Sequence, residues 1–423
     1  MVFANLFSKR NELDELKKKL DAALQELNIC KKSIQEKGLL LEEKNKEVDR
    51  LKAEKESLLH KLKEETVFPL LERPSINYAL KYTLELIKDS RKAYRKEIEG
   101  SEADTIIFTH HDGDGVCCGA LCERYFSGNS DKKIFHISQG DRYLIRKVTP
   151  KKMLIAADLV LDNELTEHLS DLTKRGIEVK WVDHHKESLD FCKDLPDYLK
   201  DKVVVKNARS AASLVYDYLG LNDDVSRRIK LIGDRCDGEK RTNEEVKEDA
   251  IILNKLARLS EPVVSRARRE LAHHGSIKSD ELKQKAAVVD LLTAYGEKIV
   301  KERLFYETND FQVYCLTDAP YLVGIGHIAS RIGTENRKDV YTIVERNGVT
   351  TVKGKAKFGA DRIFPKIAES LGGVSYSCRH IGGCTFNGKV NPKRLVDILK
   401  ELYDHEELLK DIYTVVNSPL AGK

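Results

Sequence analysis

Ile177-Glu178-Val179-Lys180-Trp181-Val182-Asp183-His184-His185 alternates apolar and polar side chains and then ends on an acid and two imidazoles. That pattern predicts a buried strand whose carboxyl end carries metal-binding chemistry. Two other runs end alike. Thr105-Ile106-Ile107-Phe108 opens into Thr109-His110-His111-Asp112-Gly113-Asp114-Gly115, and Met153-Leu154-Ile155-Ala156-Ala157 ends at Asp158. Short apolar runs of this kind suit a mostly parallel sheet covered on both faces, and open α/β sheets bind ligands at the carboxyl ends of their strands. The expected fold class is therefore α/β.

Asp112 and Asp114 are separated by Gly113 and followed by Gly115, a spacing that predicts a tight loop aiming both acids at one point. Asp158 and His184 add donors from other strands. Asp234, in Leu231-Ile232-Gly233-Asp234, supplies an acid from the end of a helical segment. Mixed carboxylate and imidazole donors suit Mn²⁺, with Mg²⁺ as a substitute, and a cluster this large has room for two ions. Two ions about 3.5 to 4 Å apart would activate a water and stabilise both oxygens of a phosphoester displacement. A lone Asp-His-His reads better as a loop with a helix-capping acid than as a metal site. Three acid-tipped strands together favour the metal. Cys117, Cys118, Cys122, Cys378 and Cys384 lack paired spacing, so zinc is a poor explanation.

The chain has 423 residues, 41% hydrophobic and 34% charged, enough for a large core and two or three domains. Its formal charge is only +4, so any phosphate-binding face is a local patch. Nine cysteines without a secretory signal, and no apolar run of about 18 residues, predict a cytoplasmic protein with no membrane span.

Residues 1–68 read as a coiled coil. Leu13, Leu20, Leu27, Ile34, Leu41, Val48 and Leu62 occupy one seam position, and Leu16, Ala23, Cys30, Leu51 and Leu58 the other. Lys37, Lys44 and Lys55 interrupt the seam. A homo-oligomer is expected, the alternative being one long helix folded back on the globular body. Pro69 and Pro74 end this segment. Residues 75–238 form the α/β domain, with Val203-Val204-Val205 as a further strand and Ala211 to Leu219 as a helix. Residues 239–309 are a helical connector whose Arg266, Arg268 and Arg269 suit a solvated face or a nucleic-acid contact. Residues 310–423 form a smaller α+β domain with a hairpin signal at Asn347-Gly348.

His-His-Asp-Gly-Asp-Gly, Ala-Ala-Asp, Val-Asp-His-His and Ile-Gly-Asp stand in one order along the chain, and in this they resemble the DHH phosphoesterase superfamily. Asn207-Ala208-Arg209-Ser210-Ala211-Ala212-Ser213 looks like that family's small-residue loop. Ser377-Cys378-Arg379-His380-Ile381-Gly382-Gly383-Cys384 is similar to the glycine-rich loop of the DHHA1 domain, although Ser377, Cys378 and Arg379 stand where the family carries glycines. The resemblance spans about Asp104 to Leu409. It implies that Asp112 binds one metal, Asp114 the other and Asp158 both, with His184 and Asp234 completing the second site. Asp183 would orient its neighbours, His185 would meet the scissile phosphate, and His110 or His111 would support or join the metals. Arg379, His380, Gly382 and Gly383 would hold substrate.

Members acting on cyclic dinucleotides and very short oligonucleotides carry a histidine where this chain has Phe108. The chain thus looks more like the archaeal RecJ-like branch. That implies a Mn²⁺-dependent exonuclease of single-stranded DNA or RNA, serving repair or replication. A phosphodiesterase of short oligonucleotides or cyclic dinucleotides is the second reading, and a catalytically silent scaffold the third. The coiled coil resembles the architecture of nucleases associated with a repair helicase, which would make such a helicase a partner.

Overall fold

The structure is a computed structural model that describes residues 42–44, 46, 47, 50, 54, 74–317, 319, 321–346, 348–356, 359–378 and 381–416. The chain divides into two units, Met1–Arg73 and Pro74–Lys423. In the first, the described residues are helical and exposed. Of the expected seam only Lys44 falls among them, and it pairs with Glu47 at 3.0 Å. The other seam positions lie outside the described residues.

The second unit opens with α1 (Pro74–Ile98), followed by β1 (Glu102–His110), α2 (Gly113–Tyr125), β2 (Lys132–Ile137) and a 3₁₀ helix at Gln139–Lys147. Then come β3 (Thr149–Ala157), α3 (Asn163–Lys174), β4 (Glu178–Asp183), α4 (Lys186–Phe191), α5 (Asp197–Lys200) and β5 (Val203–Val205). The five strands are parallel and ordered β2-β1-β3-β4-β5. Connections run outward in opposite directions from β1 and β3. Their boundary is the topological switch point where open α/β sheets form ligand crevices.

Burial explains why these runs became strands. Ile106, Ile107, Phe108, Leu154, Ala156, Val179 and Trp181 are all buried, as a parallel sheet covered on both faces requires. Trp181 does more than fill space. Its Nε1 donates to the Leu159 carbonyl at 2.8 Å, which ties β4 to the turn leaving β3. Burying an indole of this size stabilises the domain by roughly 2–3 kcal/mol.

Helices α6 (Ala211–Tyr218), α7 (Asp224–Cys236), α8 (Glu244–Leu256), α9 (Glu261–His274) and α10 (Asp280–Lys301) follow. Four of them begin at side-chain caps, with Ser210, Asp223, Asn243 and Ser279 accepting from backbone amides in the first turn. The second sheet is mixed, in the order β10-β11-β9-β8-β7-β6. Its strands are β6 (Leu304–Glu307), β7 (Phe311–Cys315), β8 (Asp339–Arg346), β9 (Val349–Lys355), β10 (Val374–Cys378) and β11 (Ile381–Asn387). β6 falls inside the stretch the sequence presented as connector. Arg346 pairs with Val349 and Gly348 has φ +77°, the positive dihedral a tight two-residue hairpin turn needs. Helices α12 (Ala360–Leu371) and α13 (Pro392–Val416) cover one face through Phe364, Ile367, Leu395 and Leu399, packed on Phe311 and Tyr341. Helix α11 (Ile325–Asn336) packs on β8 and β9.

Candidate metal centre

At the carboxyl ends of β1, β3 and β4 the expected acids and imidazoles meet. Three sets of donor atoms each lie within 4.8 Å of one another: His110, Asp112 and Asp158; Asp158, His184 and His185; Asp114, His184 and Asp237. Asp158 belongs to two sets and His184 to two. The three therefore interlock into one centre.

Each donor is fixed by local structure. Asp112 is the N-cap of α2, its Oδ1 accepting from Gly115 N at 2.9 Å while Oδ2 lies 2.7 Å from His110 Nδ1. A side chain at Gly115 would overlap the His110 carbonyl, so the loop closes only with glycine there. Asp114 is buried and accepts from the first amides of α6, Ala211 N to Oδ2 at 2.7 Å and Ala212 N to Oδ1 at 3.1 Å. These amides sit at the positive end of a helix, where an anion is favoured.

Asp158 has φ +61°, a left-handed conformation that few non-glycine residues adopt. The Gln139 carboxamide holds that turn from both sides, donating to the Asp158 carbonyl at 3.1 Å and accepting from Val160 N at 3.1 Å. Strain of this kind persists where surrounding structure over-determines it.

From β4, His184 Nε2 lies 3.5 Å from Asp158 Oδ1 and 3.1 Å from Asp237 Oδ2. His185 Nδ1 is 2.7 Å from Asp183 Oδ1, and Asp183 Oδ2 accepts from Ser188 Oγ at 2.5 Å. Asp183 is thus occupied in orienting His185 and α4.

Asp234, expected among the metal donors, lies against α6, and Asp237, which carried no expected role, lies at the centre. Asp234 stands outside the three donor sets. Its Oδ1 accepts from Ser210 Oγ and Ser213 Oγ, both at 2.6 Å, so it clamps the first turn of α6. Asp237, at the end of α7, reaches the centre instead. Gly233 explains the offset: a Cβ there would come within 2.8 Å of Asp114 Oδ1, so this face of α7 lies against the site, and Asp237 follows one turn later on the same face. The two histidines of β1's end also separate. His110 joins the centre, whereas His111 turns away, its Nε2 3.7 Å from buried Glu261 of α9. Phe108 is buried in the core. Gly382 and Gly383 lie within β11, paired with Ser377 and Tyr376, rather than in a loop. Arg379 and His380 lie outside the described residues.

Charge crowding governs protonation. Burial opposes a charge on His184, but Asp158, Asp114 and Asp237 push it up to about 11. His185 rises to about 9 against burial, driven by Asp183. Burial and the Asp158 carboxylate push Asp237 up to about 7. Burial and neighbouring carboxylates also raise Asp114, with the two α6 amides acting in the opposite direction. Burial and the Arg91 charge hold His111 down to about 3.

The residues fit divalent cations. Asp158 Oδ2 is buried and lacks a hydrogen-bond partner among the described residues, an atom that a cation would satisfy. Hard carboxylate oxygens mixed with imidazole nitrogens suit Mn²⁺ and tolerate Mg²⁺. The cysteines whose side chains are described are free, and no described helix is long and apolar enough to cross a membrane.

Fold and centre together define a class: a two-sheet α/β protein with a carboxylate–imidazole centre at the switch point of its parallel sheet. No family model and no curated protein matches the chain. Among solved structures it is similar to RecJ of Thermus thermophilus in complex with Mn²⁺, at 14% identity and a TM-score of 0.49, over 77% of this chain and 54% of that one. The chain thus spans about half the length of that RecJ. It is also similar to the DHH domain of a protein described as a member of a ribosomal-protein family, at 14% identity and TM-score 0.48, over 83% and 98%. A third similar structure is a pGpG-specific phosphodiesterase of Vibrio cholerae, at 15% identity and TM-score 0.42, over 74% and 99%.

Proposed function

We propose that this chain is a metal-dependent phosphodiesterase of the DHH type, acting as a Mn²⁺-dependent exonuclease on single-stranded nucleic acid. One observation carries the reading: Asp158 and His184 are each shared between donor sets, the arrangement expected of a centre that holds two neighbouring cations. Asp112, Asp114, Asp158, His184 and Asp237 would hold the ions, with His110 beside the first. When bound, the ions supply a water activated for attack and charge to offset that of the transition state. The chain's own contribution is positioning. Asp183 fixes the His185 ring through a 2.7 Å contact, leaving that imidazole beside Asp158 to meet a non-bridging phosphate oxygen or hold a proton near it. Burial of the cluster keeps bulk water from screening these charges.

A second reading, hydrolysis of cyclic dinucleotides or oligonucleotides of a few residues, draws support from His110, whose imidazole joins Asp112 and Asp158. Strands of DNA and RNA, labelled at either end and incubated with Mn²⁺ or Mg²⁺, separate the two. A ladder from long strands supports the exonuclease, and products only from short substrates support the alternative. If Asp158→Ala leaves every product unchanged, the centre is not catalytic. Cytoplasmic location, self-assembly through residues 1–68 and association with a repair helicase belong to the same proposal.

A further inference from the structure

On α1, Tyr78 and Tyr82 are 72% and 57% exposed, and their rings stack at 6.5 Å with planes 7° apart. Leu86, one turn further, is 51% exposed. Apolar side chains at i, i+4 and i+8 ordinarily face a core, yet these face solvent. Beside them runs a groove of about 660 Å³ between α1 and the end of α10, lined by Asn77, Lys81, Tyr295, Lys298, Glu302 and Arg303 among others. Its lining thus sets three cations against one acid.

The groove also has a defined position relative to the metal centre. The last turn of α1 lies at the amino edge of the parallel sheet, where Gly100 N donates to Lys147 O at 2.8 Å and Thr149 N to Ser101 O at 2.9 Å. Toward the carboxyl edge, Tyr94 Oη accepts from His136 N, near the end of β2, at 3.0 Å. Arg91, one turn nearer the amino end of α1, donates to the Arg258 and Leu259 carbonyls at 3.0 and 3.2 Å. Followed toward its amino end, α1 continues past the strand tips. At 1.5 Å per residue, Tyr82 and Tyr78 lie roughly 14 and 20 Å beyond Arg91 along the axis.

We infer that the stacked tyrosines and the adjoining basic groove form a track for single-stranded nucleic acid that holds the strand several nucleotides away from the metal centre. Exposed aromatic faces receive unpaired bases without regard to sequence, and neighbouring cations follow the backbone. The inference rests on the reading of the substrate as a nucleic-acid strand.

Fluorescence anisotropy of the full-length protein with a labelled 20-nucleotide oligothymidylate, in EDTA to prevent cleavage, tests the track. A parallel assay follows hydrolysis of a thymidine dinucleotide with Mn²⁺. Tyr78→Ala/Tyr82→Ala should weaken 20-mer binding by about tenfold or more, while Tyr78→Phe/Tyr82→Phe retains it and both variants hydrolyse the dinucleotide at the parental rate. Unchanged 20-mer affinity in the alanine variant overturns the track. If light scattering then shows that variant has lost mass per particle, the tyrosines serve contact between copies of the chain. Hydrolysis with tyrosine-independent binding leaves the enzyme reading standing and removes the track; tyrosine-dependent binding without hydrolysis does the reverse.

Discussion

The Gln139 side chain and the Asp158 backbone form a closed clasp, the amide donating to the Asp158 carbonyl and accepting from the amide two residues on, each at 3.1 Å. Gln139→Leu keeps the apolar volume but leaves two buried backbone groups without partners, at a cost of about 1–3 kcal/mol each. We expect a lower urea midpoint and Mn²⁺ affinity reduced about tenfold or more. Parental Mn²⁺ affinity in this variant would show that Asp158 needs no such support.

Asp237 and Asp234 should respond oppositely to loss of charge. Asp237→Asn removes a donor from the Asp114 and His184 set, so metal binding and activity should fall by at least about a hundredfold. Metal-free stability should hold or rise, because a crowded buried carboxylate is gone. Asp234→Asn weakens two serine hydrogen bonds and should destabilise the fold by about 1–3 kcal/mol. Calorimetry with a Mn²⁺ titration distinguishes these outcomes, and the reverse pattern would return Asp234 to the centre.

Metal uptake should expel protons. His184, raised to about 11, and Asp237, raised to about 7, both carry protons in the metal-free protein at pH 6, and a coordinating cation needs those atoms bare. The Mn²⁺ dissociation constant should therefore fall as pH rises from 6 to 8. Titration calorimetry in two buffers of different ionisation enthalpy should show heat that tracks the buffer; identical heats would refute proton release.

Glu261 gives a pH signature of its own. Burial pushes it up to about 8 from an ordinary value of 4.5. Because the folded value is the higher one, its contribution to stability is fully present below about 4.5 and is lost as pH rises through about 8. Glu261→Gln lacks this titration, so the melting temperature of the parent should drop relative to the variant between pH 5 and pH 8.5. Parallel melting curves across that range would contradict the assignment.

The centre was legible in the chain wherever an acid follows an apolar run. Ile106 to Phe108, Met153 to Ala157 and Val179 to Val182 announce buried strands, and Asp112, Asp114, Asp158 and His184 sit at their tips. Strand β2 carried no comparable signal, because Lys132 and Lys133 open it and it lies at the sheet edge. Asp237 escaped since it follows the last turn of α7, and which of two acids near that end meets the centre depends on how that helix is rolled. Packing of Gly233 against Asp114 sets the roll, and periodicity along α7 does not contain it. Likewise, Gly382 and Gly383 look like loop residues in isolation, and only pairing across β10 and β9 draws them into a strand.

The donors run from His110 to Asp237, and their supporting serines and glutamine lie between those limits. A ribosome-bound chain therefore carries no complete centre until the end of α7 has emerged, because the last donor, Asp237, and Asp234, which clamps the first turn of α6, arrive together. On the proposed reading, cleavage capacity would arise in one step a little past the middle of synthesis, when the parallel sheet is already complete and the second sheet has yet to be made.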